Sequence, residues 1–174
     1  NSRVIVIGCG TGLYSIDLSH FCKSVTAVDL SEKMGEVLLN KVYEKNIKNI
    51  DFKCLNWADA DIKALNMYKA FDIAVSALNP SLNSFSSLKK FCDLSNKSCC
   101  VVTFSGNIQN SVSRYLEDLK FLNLQKRNDG IWTKYIVDIL KELGYKPQLC
   151  FTQMKWIKQN TEKEAIERLE KEYE

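Results

Sequence analysis

Three glycines and one carboxylate carry the clearest chemical signal in the sequence. Gly8, Gly10 and Gly12 follow the apolar run at 4–7, and Asp29 ends a second apolar run twenty-one residues after Gly8. A glycine turn lets the backbone approach a ligand that a Cβ would repel, and it directs the first amides of the next helix toward that ligand. An acid at the end of the next strand can accept hydrogen bonds from ribose hydroxyls, and the spacing fits the roughly 20 residues of a nucleoside-binding βαβ unit. The pattern predicts an adenosine-containing cofactor.

The spacing of the glycines separates two kinds of cofactor. A dinucleotide site favours G-x-G-x-x-G, whereas this turn reads G-x-G-x-G and has Leu13 where the third glycine would stand. The string VIGCGTG, followed by a strand that ends in Asp29, resembles the first two motifs of class I S-adenosylmethionine-dependent methyltransferases. The resemblance implies that the turn passes under the methionine part of S-adenosyl-L-methionine and that Asp29 holds the ribose.

The resemblance extends to the segment after the third predicted strand. It places Asn56 near the adenine amino group and Trp57 against the purine ring, although family members more often have an acid at the first of these positions. The alternative for Trp57 is packing between helix and sheet, and we expect Asp59 to cap the next helix. The cofactor-binding residues that the resemblance implies are Gly8, Cys9, Gly10, Thr11, Gly12, Asp29, Leu30, Met34, Asn56, Trp57, Ala58, Ser76, Ala77 and Leu78.

The stretch after the fourth predicted strand is where this family holds the reacting methyl group against its acceptor. Asn79-Pro80 matches the first half of the motif of amino methyltransferases, but Ser81 and Leu82 replace its second proline and its aromatic residue. Asn79 is a candidate substrate contact, although Asn-Pro is also common in ordinary turns. We name no catalytic residue, because the sulfonium methyl is already electrophilic and alignment with an acceptor can be sufficient.

Alternating strand-like and helix-like segments must position these residues. Strand-like runs lie at 3–7, 24–29, 50–55, 71–76, 98–104 and 148–156. Helix-like segments lie at 13–22, 31–44, 59–67, 82–94 and 132–143. This alternation predicts an α/β domain over residues 1–174, with a doubly wound, mostly parallel, Rossmann-like sheet, helices on both faces, and the ligand at the carboxyl ends of the strands.

The two ends of the sequence depart from the pattern of the family. The first strand begins at Arg3 without the usual preceding helix, and the charged, helix-like stretch 161–174 stands where a seventh, antiparallel strand is usual. We therefore expect a domain that is trimmed or incomplete at both ends. We also expect an exposed edge or gap beside the fifth and sixth strands.

Composition and cysteine usage exclude several other classes. A net charge of +3 is too small to indicate nucleic acid, and no apolar run is long enough to span a bilayer, so we expect a cytoplasmic protein. The seven cysteines have no C-x-x-C spacing and only His20 as a histidine partner, which predicts reduced thiols and no metal site. His20 is interpreted as structural or exposed rather than catalytic.

The acceptor of the methyl group is the least constrained part of the prediction. Basic and aromatic residues between 104 and 132 are interleaved with acids, which favours a solvated helix face over an RNA site. A small metabolite is the favoured acceptor, ahead of RNA or protein. Two other functions remain open: a non-catalytic module that keeps the adenosyl-cofactor site, and an NAD-dependent oxidoreductase, which Leu13 disfavours.

Overall fold

A computed structural model of the protein describes residues 2–105 and 130–153, together with the single helical residues Glu164 and Glu167. In this part of the chain, five parallel strands form one sheet in the order β3-β2-β1-β4-β5. The strands are β1 (Arg3–Ile7), β2 (Ser24–Asp29), β3 (Ile50–Cys54), β4 (Phe71–Ala77) and β5 (Ser95–Val102). The helices are α1 (Leu13–Ser19), α2 (Glu32–Glu44), α3 (Phe85–Cys92) and α4 (Gly130–Glu142).

The strand order reverses beside β1. β1 pairs with β2 on one side and with β4 on the other, so the chain winds outward in both directions from this central strand. Open α/β sheets bind ligands at such a switch point, outside the carboxyl ends of the strands. The turn after Ile7 lies at that point.

Both faces of the sheet are buried at the central strand β1, which explains its uninterrupted apolar run. Val4 and Val6 point into one core, and Ile5 and Ile7 point into the other, because successive side chains of a strand alternate between faces. The first core includes Ile16 of α1 and Leu38 and Val42 of α2. The second includes Leu88 and Phe91 of α3 and Ile136 and Ile139 of α4. The predicted doubly wound α/β fold is confirmed.

Polar side chains define where α2 and α3 begin. Ser31 caps α2 by accepting a hydrogen bond from the Met34 amide at 3.3 Å. Ser84 and Ser87 form a reciprocal capping box at the start of α3, so this helix begins at Phe85, three residues later than predicted. Among the described helices, none is long and apolar enough to cross a membrane.

The helix predicted at 59–67 is wrong. The segment forms successive turns, stabilised where the Asp61 carboxylate accepts hydrogen bonds from the amides of Lys63 and Ala64 at 2.9 and 3.1 Å. Asp59 therefore does not cap a helix, and its carboxylate accepts a hydrogen bond from Asn56 instead. The Lys90 ammonium binds the carbonyls of Trp57 and Ala58, which precede the segment, and the carbonyl of Ala60 within it.

The sixth strand, predicted at 148–156, is absent from residues 148–153, and positions 154–156 lie outside the described residues. Leu149 and Phe151 are exposed rather than buried against a sheet, and a strand without a hydrogen-bonded neighbour is not stable. Within the described ranges, β5 pairs with β4 alone, and the expected open edge beside it stays a prediction. The stretch 161–174 lies outside the described residues except for Glu164 and Glu167.

Candidate functional site

The glycine turn lies between the ends of β1 and β2. The amides of Gly8 and Cys9 both donate to the Val28 carbonyl, at 2.8 and 2.9 Å, and this fixes the turn against β2. Gly12 has a φ of 89°, in the left-handed region that favours glycine, and a Cβ there would collide with Leu38 of α2. Close packing of the turn on α2 therefore requires glycine at this position.

Gly10 has open space above it, in contrast to Gly12. Its φ is 53°, and a Cβ built on it would meet no atom within 4 Å. The bare backbone at Gly10 therefore borders free volume at the carboxyl edge of the sheet. A ligand can approach the main chain here, as the sequence predicts for the methionine part of the cofactor.

The Asp29 carboxylate joins the two loops at this edge. One carboxylate oxygen accepts a hydrogen bond from the Gly10 amide at 2.7 Å, and the other accepts one from the Ser31 amide at 3.0 Å. Lys41 of α2 also holds the turn, because its ammonium donates to the Thr11 carbonyl at 3.1 Å. Each carboxylate oxygen has a second lone pair, so Asp29 retains the capacity to accept hydrogen bonds from a ribose. The ribose contact itself stays a prediction.

The loop after β3 is built around a buried tryptophan. Trp57 is 4% exposed and belongs to the core between the sheet and α3, which is the packing alternative considered for it. The Asn56 side chain accepts a hydrogen bond from the Ala58 amide at 3.1 Å and donates to Asp59 at 2.5 Å. Contact of adenine with Asn56 or Trp57 stays a prediction, and the burial of the indole leaves little of its face for a purine.

Lys90 of α3 fixes this loop from across the fold. Its ammonium donates to the carbonyls of Trp57, Ala58 and Ala60, at 2.5, 3.0 and 3.2 Å, and lies 4.7 Å from the centre of the Trp57 ring. Burial lowers the pKa of Lys90, and the charges of Asp59 and Asp61 oppose that effect. The sequence analysis missed Lys90, because no local pattern links it to a loop thirty residues earlier.

The end of β4 is tied to the end of β1 by Asn79. Its amide nitrogen donates to the Ile7 carbonyl at 3.3 Å and to the Ser76 hydroxyl at 3.2 Å. Its amide oxygen accepts from the amide and the hydroxyl of Ser81, at 3.0 and 2.7 Å. These four bonds use the full hydrogen-bonding capacity of the amide. The predicted substrate contact of Asn79 is untested, and it would require one of these bonds to break.

Apolar side chains border the same edge. Leu30, Met34 and Leu78 are 67, 43 and 45% exposed, and Leu78 adopts a φ of 51° that is unusual for a leucine. A cavity of about 230 Å³ lies beside Asn79, between the carboxyl ends of β4 and β5 and the α4 helix. The described residues that line it are Ser76, Leu78, Asn79, Pro80, Leu82, Val101, Val102, Thr103, Phe104 and Ile136. None of these carries a charge.

Cys9 in the glycine turn is not an activated nucleophile. Burial, with a further contribution from the Asp29 charge, raises its pKa to about 12, so the thiol stays protonated near neutral pH. In the described part of the chain, no group of three or more His, Cys, Asp or Glu side chains is arranged to hold a metal ion.

The fold and the glycine turn together define the class I methyltransferase architecture. Residues 4–94, just over half of the chain, match the model of the methyltransferase-domain family, and the chain belongs to that family. The cofactor of this class is S-adenosyl-L-methionine. No curated protein matches the sequence.

Solved structures with the same fold share little sequence with this chain. A proposed methyltransferase from Bacillus halodurans is 16% identical, with a TM-score of 0.58, and the match covers 83% of this chain and 62% of that one. A proposed S-adenosyl-L-methionine-dependent methyltransferase from Methanococcus maripaludis is 20% identical, with a TM-score of 0.57, over 82% of this chain and 68% of that one. The YcgJ protein from Bacillus subtilis is 19% identical, with a TM-score of 0.52, over 69% and 51%. The chain spans 25–51% of the length of the first solved structures that it matches.

Proposed function

We propose that this chain binds S-adenosyl-L-methionine and is the catalytic domain of a methyltransferase. One observation carries the proposal: the Asp29 carboxylate binds the Gly10 amide at 2.7 Å, beside a bare backbone position that faces open space at the switch point of the sheet. This arrangement brings an acid and an exposed main-chain segment within reach of one nucleoside-sized ligand. Family membership supports the same conclusion.

The residues of the turn would bind and orient the cofactor, whose sulfonium supplies an electrophilic methyl group when bound. Gly10 and its neighbours would contact the methionine part, and Asp29 would accept hydrogen bonds from the ribose. Leu30, Met34 and Leu78 would exclude water through their exposed apolar surface. The contribution of the protein is then mainly alignment, which can be worth about 7 to 11 kcal/mol in well-oriented reactions.

We further propose a small, uncharged metabolite as the methyl acceptor. The cavity of about 230 Å³ beside Ser76 and Asn79 supports this proposal, because its described lining consists mainly of apolar side chains. A charged acceptor would lose hydration there, and none of the described lining residues carries an opposite charge. A radiolabelled methyl-transfer assay on size-fractionated metabolites, RNA and protein tests this, and label confined to the macromolecular fractions would contradict it.

Substitution of Asp29 tests the cofactor site. We expect Asp29→Ala to weaken binding of S-adenosylhomocysteine by about 1 to 3 kcal/mol, because charge-assisted hydrogen bonds are lost. Calorimetric titration measures the effect, with NAD as the control ligand and Asp51→Ala, an exposed acid on β3, as the control variant. Unchanged affinity in Asp29→Ala would contradict the ribose contact, and tight binding of NAD would favour an oxidoreductase.

A non-catalytic module with the same cofactor site is the second candidate. The hydrogen bonds of Asn79 favour this candidate. Asn79 is the side chain expected nearest the methyl-accepting substrate, and all four of its hydrogen-bonding positions are already used within the protein. The two candidates differ in turnover. Saturable binding of S-adenosylhomocysteine without transfer to any fraction of a broad extract would support the module.

A further inference from the structure

Two cysteines from neighbouring elements face each other on the side of the sheet covered by α3 and α4. Cys92 is the last residue of α3 and is buried, whereas Cys99 lies in β5 and is exposed. The Cys99 thiol donates to the Cys92 carbonyl at 3.9 Å, so the two cysteines are in contact. Six residues separate them in sequence, and α3 turns directly into β5 between them.

A cation lies beside this pair. The Lys69 ammonium donates to the carbonyls of Cys92 and Ser95 at 3.1 and 2.8 Å, so Lys69 and the Cys99 thiol both contact the Cys92 carbonyl. Asp93 lies 3.9 Å from the same ammonium and offsets part of its charge. The Tyr145 hydroxyl hydrogen-bonds to the Cys92 thiol.

These contacts make the two thiols unequal. A hydrogen bond from the Cys92 side chain, with help from the Lys69 charge and the Ser95 hydroxyl, lowers the pKa of Cys99 against the effects of burial and Asp93. The same hydrogen bond, together with burial, raises the pKa of Cys92. An exposed thiol whose pKa is lowered, beside a buried thiol whose pKa is raised, is the arrangement of a reactive cysteine and its resolving partner.

We propose that Cys92 and Cys99 are a redox modification site, which hydrogen peroxide oxidises to an intramolecular disulfide. The Cys99 thiolate attacks one peroxide oxygen, the oxygen–oxygen bond breaks, and water leaves after protonation, with Cys99 now a sulfenic acid. The Cys92 sulfur then attacks the Cys99 sulfur, loses its proton and displaces a second molecule of water. Two thiols have lost two electrons and two protons, and the peroxide has been reduced to water.

The other cysteines have surroundings that differ from this pair. Cys100 follows Cys99 directly and points to the opposite face of the sheet, where burial raises its pKa. Cys54 is exposed, and its thiol donates to the Leu30 carbonyl at 3.4 Å. These two residues provide matched controls, one adjacent in sequence and one with similar exposure.

Peptide mapping tests the proposal directly. Trypsin cleaves after Lys90 and Lys97, so Cys92 and Cys99 fall on two different peptides that only a cross-link can join. The fully reduced chain is treated with one equivalent of hydrogen peroxide, and the remaining thiols are alkylated before digestion. We expect two of the seven thiols to be lost and the peptide that begins at Phe91 to be joined to the peptide that begins at Ser98.

The variants assign the bond. The cross-link should persist in Cys100→Ser and Cys54→Ser and should disappear in Cys99→Ser, whose exposed side chain makes loss of folding a minor concern. Dithiothreitol should restore both thiols. Loss of the cross-link in Cys100→Ser, or a chain whose first oxidised residue is Cys54, would overturn the proposal. Neither outcome depends on whether the chain binds S-adenosyl-L-methionine.

Discussion

The turn after β1 and the loop after β3 lie at the same edge of the sheet but are held in different ways. The turn at 8–12 is fixed by glycine geometry and by Asp29, which binds it across a single βαβ unit. The loop at 55–60 is fixed by Lys90, which reaches it from a helix thirty residues later in the chain. Local residues therefore determine the first region, and long-range packing determines the second.

The largest effect should come from filling the space at the glycine turn. We expect Gly12→Ala to lower the free energy of unfolding by about 3 kcal/mol, because the alanine combines left-handed backbone strain with a collision against Leu38. Gly144→Ala is the matched control, since Gly144 also has a positive φ but meets no atom within 4 Å. Urea denaturation measures both, and equal losses would mean that the packing on α2 contributes nothing.

Removal of the Lys90 ammonium should cause the second-largest loss of stability, because it releases the loop after β3. We expect Lys90→Met to lower the free energy of unfolding by about 2 kcal/mol, because three carbonyls lose a charged donor. Lys89→Met, one residue earlier on the exposed side of α3, should leave stability nearly unchanged. If the loop binds adenine, Lys90→Met should also weaken binding of S-adenosylhomocysteine. Unchanged affinity would mean that the loop does not contribute to cofactor binding.

Asn79 connects the ends of β1 and β4 and should have an intermediate effect. Asn79→Ala should lower the free energy of unfolding by about 1 kcal/mol, because its hydrogen bonds to Ile7, Ser76 and Ser81 are lost. The loss is limited because water can reach part of the site and bind the groups left unpaired. Asn83→Ala, an exposed asparagine in the same loop, is the control. Methyl transfer that falls far more than stability would indicate that Asn79 also contacts the acceptor.

Titration of the Cys9 thiol should change stability only in alkali and should have no effect at neutral pH. Its pKa is raised from an ordinary value of 9.0 to about 12 in the folded chain, so the folded state binds its proton more tightly than the unfolded state. The resulting stability is fully present below about pH 9 and is lost as the pH rises toward about 12. The free energy of unfolding should therefore fall less steeply with alkaline pH in Cys9→Ala than in the wild type.

The order of the strands and helices was largely predictable, because β1, β2 and β4 are short, mainly apolar runs and α2 has its own capping residue, Ser31. The predicted strands at 3–7 and 24–29 match the structure at both ends. The errors lie where local pattern and tertiary contact disagree. The segment 59–67 is helix-like in sequence, but it forms turns in which Asp61 binds the amides of Lys63 and Ala64 and Lys90 binds the Ala60 carbonyl.

The candidate site also contains features that the sequence predicted and features that depend on tertiary contacts. The sequence indicated the glycine turn and Asp29 because the function proposed for them requires particular residue types at a fixed spacing. It also indicated Asn56, Trp57 and Asn79 by position, but it could not reveal the burial of the indole or the saturated bonds of Asn79. Burial and hydrogen-bond partners depend on residues that come together only when the sheet forms.

The sequence by itself determined the parallel sheet, its two buried faces and the position of the glycine turn beside Asp29. These features follow from the period of apolar residues and from the backbone freedom of glycine, both of which are local properties. The tertiary structure alone decided that Lys90 would hold the loop after β3 and that the thiols of Cys92 and Cys99 would meet. Such contacts depend on the distance between side chains after packing, and spacing along the chain does not encode that distance.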